Sequence, residues 1–70
     1  MDRRKEIAEN IALMVKASGK TQAQIATAIG LNKQAITDYI AGKSFPNLLR
    51  FVLLCQVLEC NYEDILGRLE

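Results

Sequence analysis

Residues 21–43, TQAQIATAIGLNKQAITDYIAGK, determine the fold expected for this chain of 70 residues. Thr21 is followed three residues later by Gln24, a pair that can satisfy each other's free backbone amides at the start of a helix. Gly30 can supply the left-handed backbone conformation that ends such a helix. Asn32, two residues further on, is a favourable cap for another helix. The stretch therefore predicts two short helices joined by a glycine turn.

Apolar residues at helical spacing on both sides of this stretch predict three further helices. They are expected at residues 3–17, from just after Pro46 to about Leu58, and from Asn61, whose partner in a capping box would be Asp64. We therefore expect an all-α fold, a compact five-helix bundle, with residues 1–70 forming a single domain.

The inner faces of the five helices predict the core. Its expected members are Ile7, Ile11, Met14, Val15, Ile25, Ala26, Ile29, Ile36, Tyr39, Ile40, Leu48, Phe51, Val52, Leu54, Cys55, Leu58, Ile65 and Leu66. This assignment leaves Lys33, Gln34, Thr37, Asp38 and Ala41 on the outer face of the third helix. Most of these side chains can reach the edges of base pairs in a major groove.

Charge is unevenly distributed along the chain, although the net charge is only +1. Residues 16–43 carry four lysines and one acidic residue, whereas residues 59–70 carry four acidic residues and one arginine. A basic middle segment can face phosphates. No apolar run is long enough to span a bilayer, and no signal segment follows the basic start, so a cytoplasmic location is expected.

Catalytic and metal-binding chemistry is poorly represented. There is no histidine, no glycine-rich phosphate loop and no cluster of carboxylates, so we expect neither an enzyme nor a cofactor. Cys55 and Cys60 alone provide too few ligands for a tetrahedral zinc site. They are interpreted as two buried thiols that act as small apolar residues.

The stretch from Thr21 to Lys43 resembles the Cro/cI-type (XRE-like) helix-turn-helix family of phage and bacterial repressors. The similarity continues through residues 46–48 and 58–61 to Ile65 and Leu66, and so covers nearly the whole chain. The resemblance implies sequence-specific binding of double-stranded DNA, commonly by a homodimer on a palindromic operator. It also implies which residues contact DNA: Lys33, Gln34, Thr37 and Asp38 at bases, and Gln22, Lys43 and Asn47 at phosphates.

Three positions depart from the family pattern. Asp38 stands where relatives often have Arg or Gln; it could read a cytosine, or it could mark a helix that is no longer used on DNA. Ile40 stands where many relatives have Glu, which favours a larger core. Leu49, Leu53 and Val57 form an apolar stripe on the side of the fourth helix expected to face outward. Either a second chain covers this stripe, or the fifth helix and the tail with Leu69 fold over it.

Two functions therefore remain open from the sequence. One is a transcriptional repressor that binds DNA as a dimer. The other is a protein-interaction module on the same scaffold, which would bind and modulate another repressor, as a phage modulator, an antirepressor or an antitoxin-like subunit. Steep weakening of DNA binding by salt would favour the repressor, whereas a stable heterocomplex with little DNA affinity would favour the module.

Overall fold

The computed structural model describes residues 3–67, which fold into five α-helices. Their bounds are α1 Arg4–Ser18, α2 Gln22–Ala28, α3 Lys33–Ala41, α4 Leu48–Leu58 and α5 Tyr62–Leu66. The all-α prediction is confirmed, and the first helix lies one residue further along the chain than expected. None of the helices described here is long and apolar enough to cross a membrane.

One central cluster of apolar side chains holds the five helices together. Each helix contributes one fully buried branched aliphatic residue, and these residues are Ile11, Ile25, Ile36, Leu54 and Ile65. Helix α1 packs against α3, α4 and α5, while α2 packs against α3 and α4. Burying a side chain of this size stabilises the fold by about 1.5–3 kcal/mol relative to leaving it in water. The core is therefore shared by all five helices, so removing any one of them would expose it.

The structure corrects two members of the predicted core. Leu48 is 79% exposed and Leu66 is 37% exposed, although both were expected to point inward. Leu48 is the first residue of α4 and Leu66 the last of α5. Both line an open apolar groove beside the N-terminal half of α1, where no described segment covers them. Helical periodicity placed Leu48 and Leu66 on the inner face of their helices. It could not show that these helix ends extend beyond the segments that would cover them.

The predicted outer stripe of α4 is also only partly correct. Leu49 is 66% exposed. Leu53 and Val57 are instead half-buried and pack against the core cluster. The reason is that α4 lies against both α1 and α2, so more of its circumference is covered than a single inner face would require. Leu69, which was considered as a cover for the stripe, lies outside the described residues.

Candidate nucleic-acid interface

The start of α2 is built as the sequence predicts. The Thr21 hydroxyl oxygen accepts a hydrogen bond of 3.1 Å from the backbone N–H of Gln24, and the Gln24 side-chain oxygen accepts one of 2.8 Å from the backbone N–H of Thr21. These two bonds satisfy backbone donors that a helix N-terminus leaves unpaired. The capping box therefore sets where α2 begins.

The turn between α2 and α3 is equally well defined. Gly30 has φ +76°, in the left-handed region that side chains with a Cβ disfavour. The backbone N–H of Leu31 donates to the carbonyl oxygen of Ala26 at 2.8 Å, closing the end of α2. Asn32 then caps α3, since its side-chain oxygen accepts from the N–H of Ala35 at 3.1 Å. The conformation of Gly30 and these two hydrogen bonds together restrain the turn, and with it the angle between α2 and α3.

Helix α3 is fixed by its inner face and exposed along its outer face. Ile36 and Tyr39 are buried, and Ile40, the departure from the family pattern, is half-buried against the core. The predicted outer residues Lys33, Gln34, Thr37 and Ala41 are exposed, and Asp38 is half-buried. A rigid helix thus presents polar side chains to solvent.

Two of the predicted base-contacting residues are hydrogen-bonded to each other along α3. The side-chain nitrogen of Gln34 donates to a carboxylate oxygen of Asp38 at 2.9 Å, across one helical turn. This i, i+4 pair stabilises the helix weakly and limits the orientations of the Gln34 amide. The Gln34 oxygen and its second N–H remain available.

A further hydrogen bond joins α3 to α2. The Thr37 hydroxyl donates to the side-chain oxygen of Gln22 at 2.8 Å. The sequence assigned Gln22 to a phosphate and Thr37 to a base but did not predict that the two touch. Their contact depends on how α2 and α3 cross, and no local pattern encodes that crossing. The Gln22 amide still has both of its N–H groups free to donate.

The remaining predicted contacts lie at the C-terminal end of α3 and beyond it. Lys43 is exposed one residue after Gly42, whose left-handed conformation ends the helix. The side-chain oxygen of Asn47 accepts from the backbone N–H of Arg50 at 2.9 Å and so caps α4. Asn47 is exposed and keeps its amide donors, so this capping role leaves a contact through its nitrogen possible.

Basic and acidic residues lie on different helices. Lys33 is the first residue of α3 and Lys43 follows the end of α3, whereas Glu63 and Asp64 lie in the first turn of α5. Lys20 forms an exposed ion pair with Glu59, at 3.7 Å. Such an exposed pair contributes little to the stability of the fold. Among residues 3–67 no group of three His, Cys, Asp or Glu residues is arranged to hold a metal ion.

Two short helices meeting at a glycine turn, with the second displaying a polar face, define a helix-turn-helix protein. The chain belongs to the Cro/cI-type (XRE-like) helix-turn-helix family: a family model described as helix-turn-helix matches residues 11–65.

Comparison with known proteins extends this assignment. The chain is 33% identical over 63 residues to the cryptic phage CTXphi transcriptional repressor RstR of Vibrio cholerae serotype O1. The match covers 90% of this chain and 56% of RstR, so the chain spans little more than half the length of this curated relative. It is also similar to the solution structure of LexA, the SOS-response transcriptional repressor of Eubacterium rectale, with a TM-score of 0.81 and 26% identity over 99% of this chain and 77% of that one.

Proposed function

We propose that this chain binds double-stranded DNA sequence-specifically and acts as a transcriptional regulator of the repressor type. The observation that carries the proposal is the rigid, exposed polar face of α3, held outward by the buried Ile36 and the caps at both of its ends. The names of the two relatives, both transcriptional repressors, support it. The domain that does this comprises residues 1–70, and binding to DNA implies a cytoplasmic location.

Base recognition would come from the N-terminal half of α3 lying in the major groove. Lys33 has the chemistry to contact the acceptor edge of guanine, and Gln34 can pair with adenine through one donor and one acceptor. Both side chains are exposed. The Thr37 hydroxyl hydrogen has two acceptors within reach, the side-chain oxygen of Gln22 and the carbonyl oxygen of Lys33, so Thr37 would meet a base through its methyl group or by accepting a hydrogen bond.

Asp38 would act on this interface through Gln34. Because its carboxylate accepts from the Gln34 nitrogen, it holds the amide in one orientation before DNA arrives. The second hydrogen on the Gln34 nitrogen and the oxygen of the same amide are free. Gln34 can therefore still donate one hydrogen bond to adenine and accept another from it. The other carboxylate oxygen of Asp38 could accept from a cytosine amino group. These two roles are compatible with each other, and they are the alternative to an Asp38 that marks a helix no longer used on DNA.

Phosphate contacts would flank the groove. The residues proposed for these contacts each keep at least one free N–H donor. Gln22 begins α2, and Lys43 and Asn47 follow the end of α3. Contacts of this kind position a protein on DNA without reading its sequence.

Repression would be steric and would require two copies of the chain. A two-fold dimer places two α3 helices in successive major grooves about 34 Å apart and obstructs polymerase. We place the dimer contact on α4, at the predicted stripe of Leu49, Leu53 and Val57. Leu49 is the exposed member, so it would be the centre of the contact, with the half-buried Leu53 and Val57 following it along α4.

A protein-interaction module is the second candidate function. The exposed leucines at the start of α4, Leu48 and Leu49, favour it because surface leucines in such proximity are typical of protein contacts. In that case another repressor, rather than DNA, would be the main ligand.

Selection from random duplex DNA by the purified chain at moderate salt distinguishes the two functions. The repressor proposal predicts an enriched sequence with two-fold symmetry, bound more weakly as salt rises because the release of counterions from the DNA then becomes less favourable. Failure to enrich any sequence, in a preparation whose helical circular dichroism shows that it is folded, would favour the interaction module.

A further inference from the structure

The C-terminal end of α4 brings the two cysteines of the chain together. The backbone N–H of Cys60 donates to the carbonyl oxygen of Cys55 at 3.1 Å, and that of Glu59 donates to Gln56 at 3.2 Å. Glu59, with φ 55° and ψ 43°, is left-handed between them. This pair of bonds defines a Schellman motif, which characteristically brings the side chains at its two ends into contact. In this chain both of those side chains are thiols.

Cys55 and Cys60 are close enough for each thiol to affect the ionisation of the other. Burial first, and then the charge of Cys60 and a hydrogen bond to it, together raise the pKa of Cys55 to about 12. Burial also raises the pKa of Cys60, but the same hydrogen bond acts in the opposite direction and lowers it. The pKa of Cys60 is nevertheless raised overall. Cys60 is the more accessible of the two thiols, since it is half-buried whereas Cys55 is 2% exposed.

The surface beside these cysteines admits a small molecule. An open depression of about 510 Å³ is lined by both cysteines and by residues of the α4–α5 connection. Both cysteines are free thiols in this structure. Because the Schellman motif already brings the two residues together, we expect a bond between the sulfurs to require rotation of two short side chains and little movement of the backbone.

We propose that Cys55 and Cys60 are an oxidative modification site, at which hydrogen peroxide converts the two thiols into an intramolecular disulfide. The Cys60 thiolate attacks one peroxide oxygen, the O–O bond breaks, and Cys60 becomes a sulfenic acid while hydroxide leaves and takes up a proton to form water. Cys55 then loses its proton and attacks the Cys60 sulfur. The S–S bond forms, the S–O bond breaks, and a second water leaves. Two electrons pass from the sulfurs to the peroxide.

The disulfide would join the last turn of α4 to the segment that leads into α5. Cross-linking a short loop restricts the unfolded chain, so the oxidised protein is expected to be the more stable form. The site is remote in sequence from α3, and its oxidation leaves the proposed DNA-reading residues unchanged. The inference does not depend on the proposed function.

The test uses the full chain, reduced and then treated with hydrogen peroxide in mildly alkaline buffer, where thiolate is more abundant. We expect loss of both titratable thiols, a mass lower by two hydrogen atoms, a monomeric species on a non-reducing gel, and a thermal midpoint raised by about 5–10 °C. The matched variant Cys60→Ser should show none of these changes.

Other products would overturn the proposal. Disulfide-linked dimers, added oxygen on Cys60 with Cys55 still titratable, or an oxidised chain with an unchanged or lower thermal midpoint would each show that the pair is not a preformed disulfide site. Since the mass and thiol measurements are made on the unmodified sequence, they remain informative even if Cys60→Ser folds poorly.

Discussion

The hydroxyl of Thr37 on α3 donates a hydrogen bond of 2.8 Å to the side-chain oxygen of Gln22 on α2. The same hydroxyl lies 3.2 Å from the carbonyl oxygen of Lys33, so its one hydrogen is shared between a contact within α3 and the contact with α2. Helix α3 is therefore attached to the rest of the fold by the buried Ile36 and, at the neighbouring exposed residue, by a polar contact with α2. The same link orients Gln22, a residue proposed to contact phosphate.

Replacing Thr37 by Val tests this link while keeping the shape of the side chain. We expect Thr37→Val to lower the free energy of unfolding by about 1 kcal/mol, the usual contribution of one hydrogen bond. DNA affinity should fall as well, since both α3 and Gln22 lose a restraint. Thr37→Ser retains the hydroxyl and is the control. Urea denaturation of Thr37→Val indistinguishable from wild type would mean that the link contributes nothing.

Gln34→Ala tests base recognition. The variant should bind the selected DNA site about 1–3 kcal/mol more weakly and bind unrelated duplexes as tightly as wild type does. Gln56→Ala is the matched control, because Gln56 is an exposed glutamine on α4 away from the recognition helix. Titration by fluorescence anisotropy measures both. Equal weakening on every sequence would assign Gln34 to the DNA backbone instead.

The buried Ile36 is expected to anchor α3 by packing in the core cluster. Ile36→Ala should reduce the free energy of unfolding by about 2–5 kcal/mol, a large share of the roughly 4–10 kcal/mol expected for a domain of this size. Ile36→Val removes one methylene and should cost about 0.5–1.5 kcal/mol. Thermal denaturation followed by circular dichroism gives both values. A tolerated alanine would show that α3 is not anchored by this side chain.

The proposed dimer contact predicts different results at two positions of α4. Leu49→Glu should abolish association and leave the monomer's stability within about 0.5 kcal/mol of wild type, because Leu49 is mainly in solvent. Leu53→Glu should weaken both association and folding, because Leu53 packs against the core. Sedimentation velocity and urea denaturation separate the two effects. A wild-type chain that sediments as a monomer at all concentrations would remove the proposed contact.

Local signals in the sequence predicted the helices well because each signal acts within a few residues. The reciprocal bonds of Thr21 and Gln24, and the left-handed Gly30, require only their immediate neighbours. The exposure of Leu48 and the burial of Leu53 were not predicted, since they depend on where other helices end and which sides of α4 they cover.

The same distinction applies to the candidate site. The outward face of α3 follows from helical periodicity, and the structure presents Lys33 and Gln34 as expected. The Gln34–Asp38 bond could have been anticipated from i, i+4 spacing, which pairs a glutamine donor with a carboxylate. The bond between Thr37 and Gln22 spans fifteen residues and required the crossing of two helices to be known.

Methylation interference on the selected duplex tests most directly whether α3 enters the major groove. Dimethyl sulfate modifies guanine at N7, which faces the major groove, and adenine at N3, which faces the minor groove. We predict that N7 methylation of guanines in each half of the site prevents binding, whereas N3 methylation of adenines in the same half-sites does not. Binding blocked by adenine methylation alone, or by neither modification, would contradict recognition by α3.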